Sequence, residues 1–225
     1  MRRAQSLRRL IKPAAFLAAL LPFARLVLRG VGGELGANPI EAVTHETGLW
    51  ALRFLLITLA ITPLRHLSSW HSIISFRRML GLFGFFYASV HFATYLVLDQ
   101  FFDLAYIVED VAKRPYITVG FAAFVLLVPL AVTSTTAMIR LLGGRRWRLL
   151  HRLIYVSAAS AVVHYLWLVK ADTLRPVAYG TILAALLGFR AWHAFSARAK
   201  RTPSRDASST QRALPALRTG VEPET

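Results

Sequence analysis

Residues 145–169 read RRWRLLHRLIYVSAASAVVHYLWLV, a stretch apolar enough to cross a bilayer that also contains two histidines, His151 and His164. An ionisable side chain inside a membrane span is costly and normally faces the interior of a helix bundle, so it is a candidate for function. A run of small residues, 157–161, lies between the two imidazoles. The stretch therefore predicts a membrane helix that presents histidines, and space beside them, to the interior of a bundle.

The composition supports a membrane protein and narrows its chemistry. Of 225 residues, 56% are hydrophobic, the mean hydropathy is +0.49, and there is no cysteine. Without cysteine, thiolate-held iron–sulfur clusters and cysteine zinc sites are excluded, so a redox centre must be held by other side chains such as histidine or be an organic cofactor. The net charge of +16 comes from arginines at the ends of apolar runs, which favours membrane topology over nucleic-acid binding.

Six apolar runs predict an all-α membrane protein, a six-helix transmembrane bundle, because about 20 apolar residues cross the hydrocarbon core. The runs cover approximately residues 14–28, 49–63, 79–98, 116–139, 149–169 and 176–195. The first run resembles a signal peptide, but Arg25 interrupts it and no cleavage site follows, so we expect it to be retained. The predicted domains are a cytoplasmic segment (1–13), the six-span domain (14–195) and a disordered cytoplasmic tail (196–225).

Charge asymmetry predicts the orientation, because short cytoplasmic loops are enriched in lysine and arginine. Basic residues occupy the N-terminal segment and the even-numbered loops: Arg2, Arg3, Arg8, Arg9, Lys12, Arg65, Arg77, Arg78, Arg140, Arg145, Arg146 and Arg148. Acidic residues lie in or beside the odd-numbered loops: Glu34, Glu41, Glu46, Asp99, Asp103, Glu109, Asp110 and Asp172. Both termini are therefore expected to be cytoplasmic.

Two histidines are predicted to lie at one depth. His91 is about 12 residues into the third span and His164 about 15 into the fifth, which places both ~18 to 22 Å from the inner edge. Imidazoles at one depth on different helices can ligate the same haem iron from opposite faces. Small residues that would give a porphyrin room lie within about 60° of each histidine on its helix: Gly84, Ala88, Ser157, Ser160 and Ala161.

His151 suggests a second haem nearer the inner face. It precedes His164 by 13 residues, about 20 Å along a helix, although a net rotation of about 220° leaves the two histidines on different faces. The third span has no histidine at the matching depth, so this site needs His66, His71, another ligand or single ligation. Alternatively, each of the three histidines simply hydrogen-bonds a neighbouring helix.

The remaining polar residues have less specific interpretations. His45, His66, His71 and His193 lie near membrane interfaces and favour interfacial roles. Arg53 is buried by position, and it could pair either with an outer acidic residue in a structural salt bridge or with a haem propionate. The basic strip at 145–148 is mainly explained by the enrichment of arginine in cytoplasmic loops, but it could also attract an anionic electron donor.

Four segments carry a family resemblance: NPIEAVTHETGLWALRFLLITLAITPLR (38–65), RRMLGLFGFFYASVHFATYLVLD (77–99), EDVAKRPYITVGFAAF (109–124) and GRRWRLLHRLIYVSAASAVVHYLW (144–167). They resemble the ferric-reductase-like transmembrane family over most of residues 10–195. The resemblance implies a bacterial inner-membrane protein with one or two b-type haems, in which His91, His151 and His164 match the haem-associated histidines. It also implies that the electron donor is a quinone or a flavin reductase and that the protein binds FMN. The partner that the resemblance implies is a periplasmic molybdopterin methionine sulfoxide reductase, MsrP, which repairs oxidised periplasmic proteins. The chain departs from the eukaryotic oxidases of this family in lacking a second histidine at the inner end of span three and an NAD or FAD domain.

The function predicted from the sequence is transmembrane electron transfer, with membrane lipid as surroundings and no nucleic-acid partner. The alternative from another class is a six-span transporter whose histidines relay protons. A passive anchor for a periplasmic enzyme is a third possibility, and it leaves the buried histidines without a purpose.

Overall fold

The computed structural model describes the backbone of residues 2–68 and 70–199, and the side chains of residues 11–68 and 70–197. All regular elements in this part of the chain are helical, which confirms the all-α prediction. The α-helices are α1 (Arg2–Val31), α2 (Pro39–Ser68), α3 (Arg77–Thr94), α4 (Leu104–Lys113), α5 (Pro115–Val132), α6 (Thr136–Leu150), α7 (Leu153–Leu168) and α8 (Leu174–Ala199). A 3-10 helix, His71–Phe76, precedes α3, and a π-helical turn, Tyr95–Asp99, follows it.

Four helical segments in the described residues are long and apolar enough to cross a membrane: Ile11–Val31, Pro39–Ser68, His71–Asp99 and Pro115–Val132. A fifth follows if α6 and α7, which are bent by 43° at their junction, count as one span. The first two are longer than the sequence predicted. The predicted sixth span lies in α8, which does not reach the same apolar threshold and carries Arg190 and His193.

The bundle core is built on α2. Leu52, Leu55, Leu56 and Leu59 of α2 are buried against α5, α7 and α8, where they meet a second set of apolar side chains: Leu127, Leu130, Ile154, Ala158 and Leu183. A second core joins α1, α2 and α3 through an aromatic cluster that includes Phe54, Phe83 and Tyr87. Lipid tails are as apolar as leucine, so close packing rather than exclusion from water holds such helices together.

Two helix pairs position the functional site. α2 packs against α3, with Gly81 beside Thr58 and His91 beside Thr44, so the two helices run antiparallel. α5 packs against α7, with Ser157 bonded to Ala123 near their middles. The contacts between the described residues divide the chain after Leu187 into two compact units, and the bundle belongs to the first.

Two segments that the sequence analysis treated as loops are helices. α4 begins after Asp103, the N-cap residue, whose carboxylate accepts the N–H of Tyr106 (3.1 Å). α6 begins after Thr135, whose hydroxyl accepts the N–H of Met138 (3.2 Å), and it kinks at Gly143, where φ is 72°. The basic strip 145–148 is therefore helical.

The predicted continuous span 149–169 is also wrong in one respect. α6 ends at Leu150 and α7 begins at Leu153, so His151 caps α6 at the bend. The rotation of about 220° between His151 and His164 assumed an unbroken helix and does not apply. At the chain ends, α1 is already helical from Arg2 and α8 continues to Ala199, whereas residues 200–225 of the predicted tail lie outside the described residues.

Candidate functional site

A cavity of about 730 Å³ lies between α2, α3, α4, α5 and α7. This volume falls within the range of roughly 300–1,000 Å³ that is typical of small-molecule and cofactor sites. His91 and His164 both line it, in a wall that is mainly apolar: Leu52, Leu55, Phe92, Phe124, Leu127 and Leu168. The two histidines that the sequence placed at one depth therefore line the same cavity.

Each of these imidazoles is fixed by one backbone carbonyl of a neighbouring helix. The Nδ1 of His91 lies 2.9 Å from the carbonyl oxygen of Thr44, and the Nδ1 of His164 lies 2.6 Å from that of Tyr116. A carbonyl oxygen can only accept, so both Nδ1 atoms carry the hydrogen and donate it. The neutral rings then keep their lone pair on Nε2, which is the usual state of a metal-bound histidine whose other nitrogen is anchored.

The separation of the rings fits two axial ligands of one iron. The ring centres of His91 and His164 are 6.2 Å apart, and the ring planes are inclined at 75°. A metal–nitrogen bond of about 2 Å on each side, plus about 1 Å from each Nε2 to its ring centre, gives a separation of about 6 Å. The pair could therefore hold a single metal atom between them.

The donor set favours a haem over a bare ion. The described residues contain no group of three or more histidine, cysteine, aspartate or glutamate side chains that could hold a metal ion. Two imidazoles alone leave an octahedral ion with four positions to fill, whereas the macrocycle of a haem supplies four nitrogens itself. His91 and His164 thus fit the axial positions of a haem.

Of the five small residues that the sequence analysis singled out, three line the cavity. These are Ala88, Ser157 and Ala161. Ser157 is fully buried, and its hydroxyl donates to the carbonyl of Ala123 (2.9 Å), which joins α7 to α5. Gly84 instead lies against Leu55 of α2, where an added Cβ would be 3.2 Å from a leucine methyl, so it serves helix packing.

The sequence analysis missed four residues that hold the histidines. Thr44 and Tyr116 supply the carbonyls, and Gly48 and Gly120 lie directly against the two rings. No residue near either histidine in sequence identifies them, because they lie on different helices. The available signal is a glycine inside an apolar span, which costs helix stability and so usually has a packing or functional reason.

α4 closes one side of the cavity and is anchored by Asp110. The buried Asp110 carboxylate accepts the hydroxyl hydrogen of Tyr95 (3.0 Å) and pairs with the half-exposed guanidinium of Arg114 (2.9 Å). The hydrogen bond to the Tyr116 hydroxyl, and then the nearby Asp110, raise the pKa of Arg114 above its ordinary value, so this side chain is a permanent cation at the cavity.

Comparison with known proteins identifies the family of the chain. The model of the family described as "Ferric reductase like transmembrane component" matches residues 47–162. A relative from Herminiimonas arsenicoxydans, named protein-methionine-sulfoxide reductase heme-binding subunit MsrQ, is 56% identical over 193 residues, covering 85% of this chain and 88% of its own length. Proteins of the same name from Ralstonia nicotianae and Rhodospirillum rubrum are 52% and 54% identical, covering 82% and 81% of this chain and 86% and 88% of their own lengths.

The chain belongs to the MsrQ family of ferric-reductase-like transmembrane proteins. The resemblance predicted from the four sequence segments is thereby confirmed. MsrQ membership and the apolar helices together make the chain a multi-pass membrane protein. The ferric-reductase match includes Gly48, His91, Gly120 and His151, and it ends just before His164.

His151, which the MsrQ resemblance associates with a haem, does not line the cavity of His91 and His164. Its ring stacks on Trp147 with ring centres 3.9 Å apart, and its Nδ1 donates to the Trp147 carbonyl (3.1 Å). Its Nε2 is buried without a hydrogen-bond partner in the described part of the chain. A buried polar atom without a partner is costly. The backbone of Leu130 also lies close to this ring.

Arg53 neither pairs with an outer carboxylate nor lines the cavity. Its Nε donates to the hydroxyl of Tyr179 (2.9 Å), and its guanidinium lies 4.7 Å from the centre of the Trp50 ring, a cation–π contact. It is not part of the cavity wall. The expectation of a salt bridge or a haem propionate at Arg53 is therefore not supported, and Arg114 is the cation at the cavity.

Proposed function

We propose that the chain is the haem-binding, electron-transferring membrane subunit of a protein-methionine-sulfoxide reductase system. It would hold a b-type haem between His91 and His164 and pass electrons outward to a periplasmic molybdopterin enzyme, MsrP. The observation that carries the proposal is the pair of carbonyl-anchored imidazoles whose ring centres lie 6.2 Å apart in one cavity. The names of the relatives, heme-binding subunits of such a reductase, support the same reading.

The protein's part in this function is to hold the haem in mainly apolar surroundings. The carbonyls of Thr44 and Tyr116 fix the Nδ1–H of each histidine, so that each Nε2 is available to iron. The wall of the cavity is mainly apolar, and burial and axial ligation are the factors that tune a haem potential. A haem bound here supplies a one-electron step between ferric and ferrous iron.

The proposed direction of electron transfer rests on the distribution of acidic and basic residues between the two ends of the bundle. The cavity is lined by the acid-rich ends of the helices, including Thr44, Asp99, Tyr116 and Leu168. By the positive-inside rule these ends face outward, into the periplasm of a bacterial inner membrane, and both termini lie in the cytoplasm. This topology needs α8 as a sixth span. MsrP would then receive electrons at the cavity end of the bundle.

The donor would act at the opposite, basic end. Arg145, Arg146 and Arg148 are exposed on α6, which suits an anionic donor such as a flavin phosphate, and His151 beside them would hold a second haem. A quinone is the other candidate donor. FMN binding rests on the family resemblance alone.

The decisive experiment is a visible spectrum of purified membranes, oxidised and reduced, with pyridine haemochrome quantification. Replacing His91 or His164 with alanine should remove a reduced b-type band, whereas His193→Ala, a histidine outside the cavity, should not. An unchanged spectrum in both cavity variants would refute the paired ligation. A colourless wild-type protein would favour the transporter with a histidine proton relay.

The outward route needs a separate test. A catalytic amount of purified MsrP added to the reduced wild-type protein should fully reoxidise the haem band only when methionine sulfoxide is present, because the sulfoxide takes up two electrons in each turnover. If the band stays reduced under these conditions, MsrP is not the acceptor.

A further inference from the structure

The two helices that anchor the histidines share one local pattern. On α2 the accepting residue is Thr44 and a glycine, Gly48, follows four positions later. On α5 the accepting residue is Tyr116 and again a glycine, Gly120, follows four positions later. The sequence separation between acceptor and histidine is also nearly the same, 47 and 48 residues.

Helix geometry explains why glycine is needed at these positions. A carbonyl of residue i already accepts the N–H of residue i+4, and it has a second lone pair for another donor. Side chains on a helix point toward its N-terminus, so the side chain at i+4 covers the carbonyl of residue i. Without a side chain at Gly48 and Gly120, an imidazole from the facing helix can reach the second lone pair of that carbonyl.

The distances show how little space remains. A Cβ built on Gly48 would lie 3.1 Å from both Nδ1 and Cε1 of His91. A Cβ built on Gly120 would lie 2.6 Å from Nδ1 and 2.9 Å from Cε1 of His164, closer than real Cβ atoms approach other atoms. In both cases the three nearest ring atoms are Nδ1 and its two neighbours, Cε1 and Cγ, so Nε2 lies farther from the glycine than these atoms.

Other glycines of the bundle have different neighbours. Gly81 faces Thr58 (3.6 Å), Gly84 faces Leu55 (3.2 Å) and Gly180 faces Val162 (3.5 Å). These contacts are helix packing against hydroxyl or aliphatic side chains. Among the glycines in the described residues, contact with a cavity imidazole is confined to Gly48 and Gly120.

We propose that Gly48 and Gly120 are positioning residues for the two axial histidines, an inference that rests on the proposed haem binding. Each glycine leaves one backbone carbonyl accessible to the facing imidazole. That carbonyl accepts the Nδ1–H and fixes the ring orientation. Hydrogen bonding at Nδ1 makes the imidazole a more basic ligand, which favours ferric over ferrous iron. The glycines therefore keep the haem potential low as well as keeping the haem bound.

The test uses the full-length protein in detergent with Gly48→Ala and Gly120→Ala. Gly81→Ala and Gly180→Ala are matched controls, because there the new methyl makes only ordinary contacts. Gly48→Ala should weaken haem affinity about 10-fold or more, the lower end of the effect of losing an outer-shell partner. It should also shift the midpoint potential to a more positive value and change the low-spin electron paramagnetic resonance signal. Gly120→Ala should have the larger effect and produce a high-spin, singly ligated haem or none.

The outcomes separate this inference from the proposed function. If the wild type binds no haem, the proposed function fails. If the wild type binds haem but Gly48→Ala matches the two controls in affinity, potential and resonance signal, the positioning role is wrong, even if its thermal stability is lower. Should Gly120→Ala not accumulate in membranes, Gly48→Ala alone decides, because its clash is small enough for the neighbour to yield.

Discussion

The hydroxyl of Tyr87 on α3 lies between the carbonyl of Ala19 and the N–H of Phe23 on α1. It donates to the Ala19 oxygen (2.9 Å) and accepts from the Phe23 nitrogen (3.0 Å). These two backbone groups are the acceptor and donor of one helical i to i+4 pair, beside Pro22, where a proline disturbs the ladder. Tyr87 is 1% exposed. Its buried hydroxyl therefore docks α1 on α3 next to the proline that interrupts the hydrogen-bond ladder of α1.

Replacing Tyr87 with phenylalanine should loosen α1. The ring packing against Phe54 survives, but the Ala19 and Phe23 groups lose a partner, which costs about 1–3 kcal/mol in the free energy of unfolding. Thermal unfolding in detergent checks this, with Tyr106→Phe as the control because Tyr106 is 54% exposed. Equal melting temperatures for the two variants would contradict a structural role for this hydroxyl.

Arg53 and Tyr179 should show a coupled effect on stability. Tyr179→Phe removes the acceptor of the Arg53 Nε–H and should cost about 1 kcal/mol, the scale of hydrogen bonds between membrane helices. Arg53→Met should be neutral or stabilising, because it replaces a partly buried cation by an apolar side chain. In the double variant the cost of Tyr179→Phe should vanish, and simple additivity in this cycle would show that the two side chains do not interact.

Asp110 should hold α4 over the cavity. Asp110→Ala removes the acceptor of the Tyr95 hydroxyl and the partner of Arg114, so local opening of α4 should become about 10- to 100-fold more frequent, corresponding to about 1–3 kcal/mol. Amide hydrogen exchange of residues 104–113 measures this opening. Glu109→Ala is the control, because the ion pair of Glu109 with Lys113 is exposed and worth little. Unaltered exchange in Asp110→Ala would mean that apolar contacts alone hold α4.

His151→Ala should lower the haem-to-protein ratio without altering the midpoint potential of the site at His91 and His164. The basis is the buried Nε2 of His151, which has no hydrogen-bond partner among the described residues and lies outside the cavity of the other two histidines. Trp147→Phe is a suitable control because it keeps an aromatic ring against the imidazole. A wild-type ratio in His151→Ala would remove the second site from the proposal.

The common depth of His91 and His164 was predictable by counting residues. Both spans begin at a basic end and run in the same direction, so counting residues from that end at a fixed rise compares the two levels directly. The structure brings the rings into one cavity, as the count suggested. The haem itself stays a prediction.

The anchoring of the rings could not be predicted in the same way. Thr44 and Tyr116 contribute only backbone carbonyls. Every residue has a backbone carbonyl, so the residue type does not indicate which carbonyl accepts the hydrogen bond. The helices α4 and α6 were missed for another reason: Asp99 to Lys113 and Arg140 to Arg148 are too polar to pass as spans, yet Asp103 and Thr135 provide N-caps that begin helices there. Reading caps as well as hydropathy would have found both helices.

The separation of ligands between two antiparallel helix pairs has a consequence for biogenesis. The pair α2 and α3 carries one imidazole with its carbonyl and glycine, and the pair α5 and α7 carries the other. A cofactor that needs both rings binds only after the two hairpins have docked, and by mass action it then stabilises the docked state. Cofactor loading would thus follow docking, because a chain in which only one helix pair is in place offers one imidazole instead of two.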